Sequence, residues 1–174
     1  MTMDIQAPKI RSAETPRKIL AADFKSLGGE LPIHGGWGYS REDAVVIDKD
    51  DPVASKSIAF DGVGIEYIFV EKRIYEELII FRSEDSRYSG IEWKLLEQRL
   101  TSYEDRTYDV LSFEVTAIPD ADWETLKAEW ESNNGFQASE SELKAHEEKR
   151  NKKTIRYTTE YWFDITSFMG QISC

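Results

Sequence analysis

The sequence predicts a single α+β domain, an antiparallel sheet with helices packed on one of its faces. Apolar and polar residues alternate over Tyr108–Ile118 and again over Ile155–Ile165, the period of strands with one buried face. Between them, Asp120–Trp130 carries a helical pattern, and the highly charged Ser139–Lys153 reads as a solvated helix or flap. With 174 residues, 40% of them hydrophobic, the chain can bury one proper core. It shows no internal repeat, no low-complexity linker and no second domain, so we expect a flexible arm over residues 1–16 and one domain over 17–174.

Met1–Pro16 is polar, holds two prolines and lacks periodicity, which reads as a loose arm. Ile19, Leu20, Phe24 and Leu27 follow near helical spacing, and Gly28-Gly29 stops that helix. Pro32 leads into His34-Gly-Gly-Trp-Gly-Tyr39, where glycines bracket Trp37. Such a backbone reaches positive φ freely, so the indole either plugs the core or meets a ligand or partner. Ser40 with Asp43 three residues on is a partial capping box. Ala44–Ile47 reads as a buried strand, and Asp48–Pro52 as the turn that ends it.

Ser57–Phe60 suggests a short strand. Ile65–Arg82 fits two patterns. Tyr67, Val70, Ile74, Leu78 and Phe81 share a helical face, whereas Ile65, Tyr67, Phe69, Tyr75, Ile79 and Phe81 share a strand face. β-Branched and aromatic residues crowd both ends, and later strands need antiparallel partners, so the expectation here is strand. Ile91, Trp93 and Leu95 alternate until Leu96 switches the parity, as a bulge does. With the turn Tyr103–Arg106 and the strand Tyr108–Ile118, this makes a hairpin. Asp120 then opens a helix with acids at its positive end, and Trp123, Leu126 and Trp130 lie on one face of it. His146 falls on a charged helix and reads as a surface residue. The last strand, Ile155–Ile165, carries rings on its apolar parity and reads as central, with Trp162 on the polar parity.

Composition excludes several functions. A formal charge of −11 repels phosphate backbones, so nucleic acid is not the expected partner; a basic protein is. No run reaches the ~20 apolar residues of a membrane span, Met1–Leu20 lacks the apolar core expected of a signal peptide, and the single cysteine, Cys174, argues for no oxidising compartment. A cytoplasmic protein is expected. His34 and His146 stand far apart, and the Asp48–Asp51 run lacks the glycine and closing glutamate of a calcium loop, so neither a metal nor a cofactor is expected. No nucleophile elbow or phosphate loop is present.

Two readings of function remain. In the first, the chain is non-catalytic and binds another protein through an acidic surface bearing Glu92, Glu114, Glu160 and Trp162, with Trp37 as a further anchor. The three glutamates occupy the polar parity of three strands and form a patch if those strands are neighbours. In the second, the Gly35–Tyr39 loop rims a small-molecule or enzymatic pocket, with His34 or a strand glutamate as its polar group and Tyr39 at its edge. The Gly35–Ile47 run resembles segments in small acidic bacterial immunity proteins, which neutralise partner toxins. That resemblance implies a single cytoplasmic α+β domain without catalytic residues.

Overall fold

A computed structural model describes residues 2–54 and 60–169. In chain order the elements are β1 (Met3–Asp4), α1 (Pro16–Asp23), β2 (Ile33–Gly35), β3 (Val45–Ile47), α2 (Gly62–Tyr75), β4 (Tyr88–Tyr103), β5 (Arg106–Pro119), α3 (Asp120–Ser132), α4 (Glu140–Lys153), β6 (Ile155–Asp164) and α5 (Thr166–Met169). The α+β class is as the sequence predicts. Six strands form one sheet in the order β2-β3-β6-β5-β4, with β1 also on β6. The sheet is antiparallel through β4, β5 and β6 and between β2 and β3; β6 meets β1 and β3 in parallel.

The central strand is β6, as its aromatic parity suggests. Ile155, Tyr157, Thr159 and Tyr161 lie opposite Ala117, Val115, Phe113 and Leu111 of β5, and all eight are buried. Phe69, Val70, Ile74 and Leu78 close over them, each fully buried. A fully buried residue of this kind contributes about 1.5–3 kcal/mol relative to exposure. The α3–α4 hairpin stands at one end of the sheet, where Trp123 packs on Gly90 and Arg150 lies 3.9 Å from Glu92.

Ile65–Arg82 is not strand: Ile65–Ile80 is helical, and Phe81 caps it before a turn. The Asp61 side chain caps it by accepting from Gly64 N at 2.9 Å. The strand pattern misleads because four of the residues it turns outward or skips point inward: Glu66, Arg73, Glu76 and Glu77 are all buried. After Tyr75 the helix widens into a π turn over Glu76–Ile80, with Phe81 N donating to Glu76 O. The extra residue in that turn lets Glu76, Glu77 and Leu78 all be buried in succession.

Within residues 1–16, expected as a loose arm, Met3 to Ile10 lie against the fold. Met3 and Asp4 pair with Ile155 and Arg156, and Ile10 is buried, with its N–H donating to Tyr39 Oη at 2.9 Å. The bulge expected at Leu96 is present: Leu95 pairs with Phe113 and Glu97 with Ser112. The short strand expected at Ser57–Phe60 lies, apart from Phe60, outside the described residues, as does Cys174.

Trp37 plugs the core. It is 6% exposed and packs 6.1 Å from Phe69 and 6.4 Å from Phe81, ring to ring. Gly38, at φ +83°, lets the chain pass close to β6, where its carbonyl accepts from Trp162 N at 2.8 Å; a Cβ there would meet Trp162 O at 3.1 Å. Truncating Trp37 to alanine is expected to cost about 3–5 kcal/mol in urea denaturation, as for other large core aromatics.

Candidate functional site: the open sheet face

Residues directly opposite in register share a face. Val110, Ser112, Glu114 and Thr116 of β5 therefore line up with Trp162, Glu160, Thr158 and Arg156 of β6, and with Arg99, Glu97, Lys94 and Glu92 of β4, on the face turned away from the core. The structure thus brings Glu92, Glu114, Glu160 and Trp162 onto one surface, which follows from strand parity once β4, β5 and β6 are neighbours. Lys94, Leu96, Glu97 and Thr158 on that surface are exposed.

Trp162 is half-buried and held from three sides. Its ring meets Tyr108 edge-on at 5.9 Å, the Arg99 guanidinium lies 5.5 Å from its centre, and its Nε1 donates to Glu160 Oε1 at 3.3 Å. Arg99 Nη1 in turn donates to Glu160 Oε2 at 3.1 Å. The carboxylates are interleaved with cations rather than massed: Arg99 answers Glu160, Arg150 faces Glu92, and Lys94 stands opposite Glu114. The face is zwitterionic around one fixed indole.

Beside it lies a hollow of about 470 Å³, walled by Lys9, Tyr39, Glu97, Ser112, Thr158 and Glu160 among others. It opens where β6 passes between its two parallel partners, β1 at Ile155–Arg156 and β3 at Phe163–Asp164. Tyr39 forms part of the wall and leads inward to a buried network. Its hydroxyl donates to Glu77 Oε2 at 2.6 Å. Arg73, fully buried, donates to Trp37 O at 3.1 Å, Glu160 O at 3.0 Å and Thr159 Oγ1 at 2.7 Å. Its Nε lies 3.4 Å from Glu77 Oε2, and its guanidinium stacks 3.5 Å from the Tyr161 ring centre. Burial pushes the Glu77 carboxyl above its ordinary value, while the Arg73 charge and the Tyr39 hydrogen bond act against that rise. Burial first, and the Glu77 charge next, raise the Tyr39 hydroxyl as well. This network ties the Trp37–Tyr39 loop, α2 and β6 together beneath the open face.

His34 is elsewhere. Its Nε2 lies 3.3 Å from Asp48 Oδ2 and 3.2 Å from Asp51 Oδ2, an arrangement with three ligand-capable groups. Arg17 already holds Asp51 through 2.6 Å and 3.1 Å bonds, which lower its carboxyl pKa. A divalent cation would have to compete with that guanidinium, so the donor set fits an ion-pair cluster better than a metal centre.

His146, expected at the surface, is 6% exposed. It packs between Phe136 (4.9 Å) and Trp130 (5.5 Å), with Nδ1 3.6 Å from Glu129. The charged sequence around it conceals that α3 and α4 fold on each other. The signals in the sequence are the aromatics Trp130 and Phe136, not the helix that carries His146. The buried acids Glu66, Glu76 and Glu77 were likewise missed, because the strand pattern turns Glu66 and Glu76 to solvent and leaves Glu77 as an exception on its apolar face.

No known protein family, characterised protein or solved structure matches the chain. Among the described residues, no helix is long and apolar enough to cross a membrane.

Proposed function

We propose that this chain is a non-catalytic binding protein that docks another protein on the open face of β4, β5 and β6, with Trp162 as its anchor. The observation that carries the reading is the indole itself: on a face with exposed neighbours it is fixed by Tyr108, Arg99 and Glu160. An aromatic already held in place loses little freedom on binding, which is how such anchors become hot spots. The net charge of −11 favours a basic partner by steering its approach, while the interleaved charges of the face set register. Neutralisation of a toxin in the cytoplasm is the specific form suggested by the resemblance of Gly35–Ile47 to immunity proteins. Trp37 does not belong to the binding surface; it is a core residue.

Trp162→Ala is expected to weaken the complex by about 2 kcal/mol or more, roughly thirtyfold in Kd. Titration calorimetry against the purified partner checks this, and an unchanged Kd would remove Trp162 as the anchor.

A second reading is favoured by one feature: Tyr39, at the edge of the glycine loop, lines the 470 Å³ hollow, a volume within the range of small-molecule sites. Thermal-shift screening separates the readings. A ligand whose stabilisation is lost in Thr158→Trp, which fills the mouth of the hollow, would support the pocket.

A further inference from the structure

β4 is the outermost strand of the sheet, and it is sixteen residues long. Its outer edge carries Leu95 (38% exposed) and Leu96 (48%) in the middle. Long edges with apolar residues invite a further strand, and proteins that avoid pairing blunt them with charge or bulges. Here the charges and the bulge are arranged so that they fit a copy of themselves. We propose that two copies of this chain pair antiparallel through their β4 edges, about a two-fold axis between Leu95 and Leu96.

The register follows from the side chains. About that axis, Lys94 falls opposite Glu97, Trp93 opposite Gln98, and Glu92 opposite Arg99. Residues paired across antiparallel strands must share a face. Lys94, Glu97, Glu92 and Arg99 all lie on the open face, opposite Glu114, Ser112, Thr116 and Val110. Trp93 and Gln98 lie on the core face, opposite Val115 and Leu111. In a regular strand, residues 94 and 97 would point to opposite faces and this register could not form. The bulge at Leu96 switches the parity and makes it consistent for Glu92, Trp93 and Lys94 against Arg99, Gln98 and Glu97; Leu95 and Leu96, at the bulge on the axis itself, fall outside that rule.

Neighbouring registers fail on charge. Sliding one step in one direction sets Glu92 against Glu97; one step in the other sets Lys94 against Arg99. Like charges directly opposite one another destabilise a strand pair. Among the described residues, Lys94 and Glu97 form no ion pair within the chain, although Arg99 and Glu92 do. The pairing therefore gives ion-pair partners to these two charges of β4. The edge shares Arg99 with the surroundings of Trp162, but the pairing is argued from β4 alone and would join two open faces into one continuous surface, so this inference does not depend on the function proposed above.

The test is sedimentation velocity of the full chain in reducing buffer, across micromolar concentrations. The wild type is expected to reach twice the chain mass. Glu97→Lys, which sets lysine against Lys94 of the copy, is expected to weaken the dimer at least about tenfold, as is Lys94→Glu. Both positions are exposed, and circular dichroism reports whether the fold is kept. The double variant Lys94→Glu/Glu97→Lys restores opposite charges and should recover the wild-type dimer. A wild type that stays monomeric, a dimer indifferent to Glu97→Lys, or a double variant that fails to recover would each overturn the proposal.

Discussion

Replacing Arg73 by alanine is expected to remove about 3–5 kcal/mol of stability, a large share of what a domain of this size has. The side chain is fully buried and donates to three acceptors from the Trp37 loop and β6 while it faces Glu77. Alanine leaves Glu77 buried without its cation and two backbone carbonyls without their donor. The loss should be much smaller when both charges go together. In Arg73→Met/Glu77→Leu no uncompensated charge remains, and buried ion pairs replaced by apolar residues of similar volume are often close to neutral. Urea denaturation of the two single variants and the double variant measures the coupling. Additive losses would show that the pair does not act as a unit.

The second large effect is on the pH dependence of stability. Glu66 and Glu76 are each raised to about 9, chiefly by burial, with Asp109 adding to the rise at Glu66 and Asp23 at Glu76. In the unfolded chain both ionise near the ordinary glutamate value. Between that value and about 9 the folded state holds protons that the unfolded state has released, so stability falls as pH rises. The contribution is complete below the unfolded pKa and is lost as pH climbs through the folded one. Each group adds a slope of up to about 1.4 kcal/mol per pH unit inside that window. Glu66→Gln and Glu76→Gln cannot ionise, so each is expected to flatten the curve and to gain on the wild type as pH increases. Denaturation midpoints at several pH values check this; parallel curves for wild type and variants would show that these carboxyls titrate normally in the fold.

The strands that build the open face are the part most legible in the sequence. Alternation located β4, β5 and β6, and the parity switch at Leu96 located the bulge, because a half-buried sheet imposes period two on its side chains. The same rule placed Glu92, Glu114, Glu160 and Trp162 on one face. It failed over Ile65–Arg82, where charge does not mark solvent. Arg73 finds Thr159 and the Glu160 carbonyl more than eighty positions later in the chain, and no local window contains that pairing. Trp37 could be assigned to core or surface only once Phe69 and Phe81, from a helix the strand pattern obscured, were seen to close around it. The N-terminal residues looked unstructured because their order comes from β6 and Tyr39, not from their own periodicity.

The open face as a protein-binding surface is tested most directly by photocrosslinking in the native cell. A photoreactive residue is placed at Thr158, exposed beside the hollow, and in a second strain at Trp130, which is 44% exposed on α3 and packs on Phe136 and His146 rather than on the strands. The account predicts one heavier protein adduct from position 158, a basic partner, that is lost when Trp162→Ala is added, and no such adduct from position 130. No adduct from 158, or the same adduct from both positions, would contradict it.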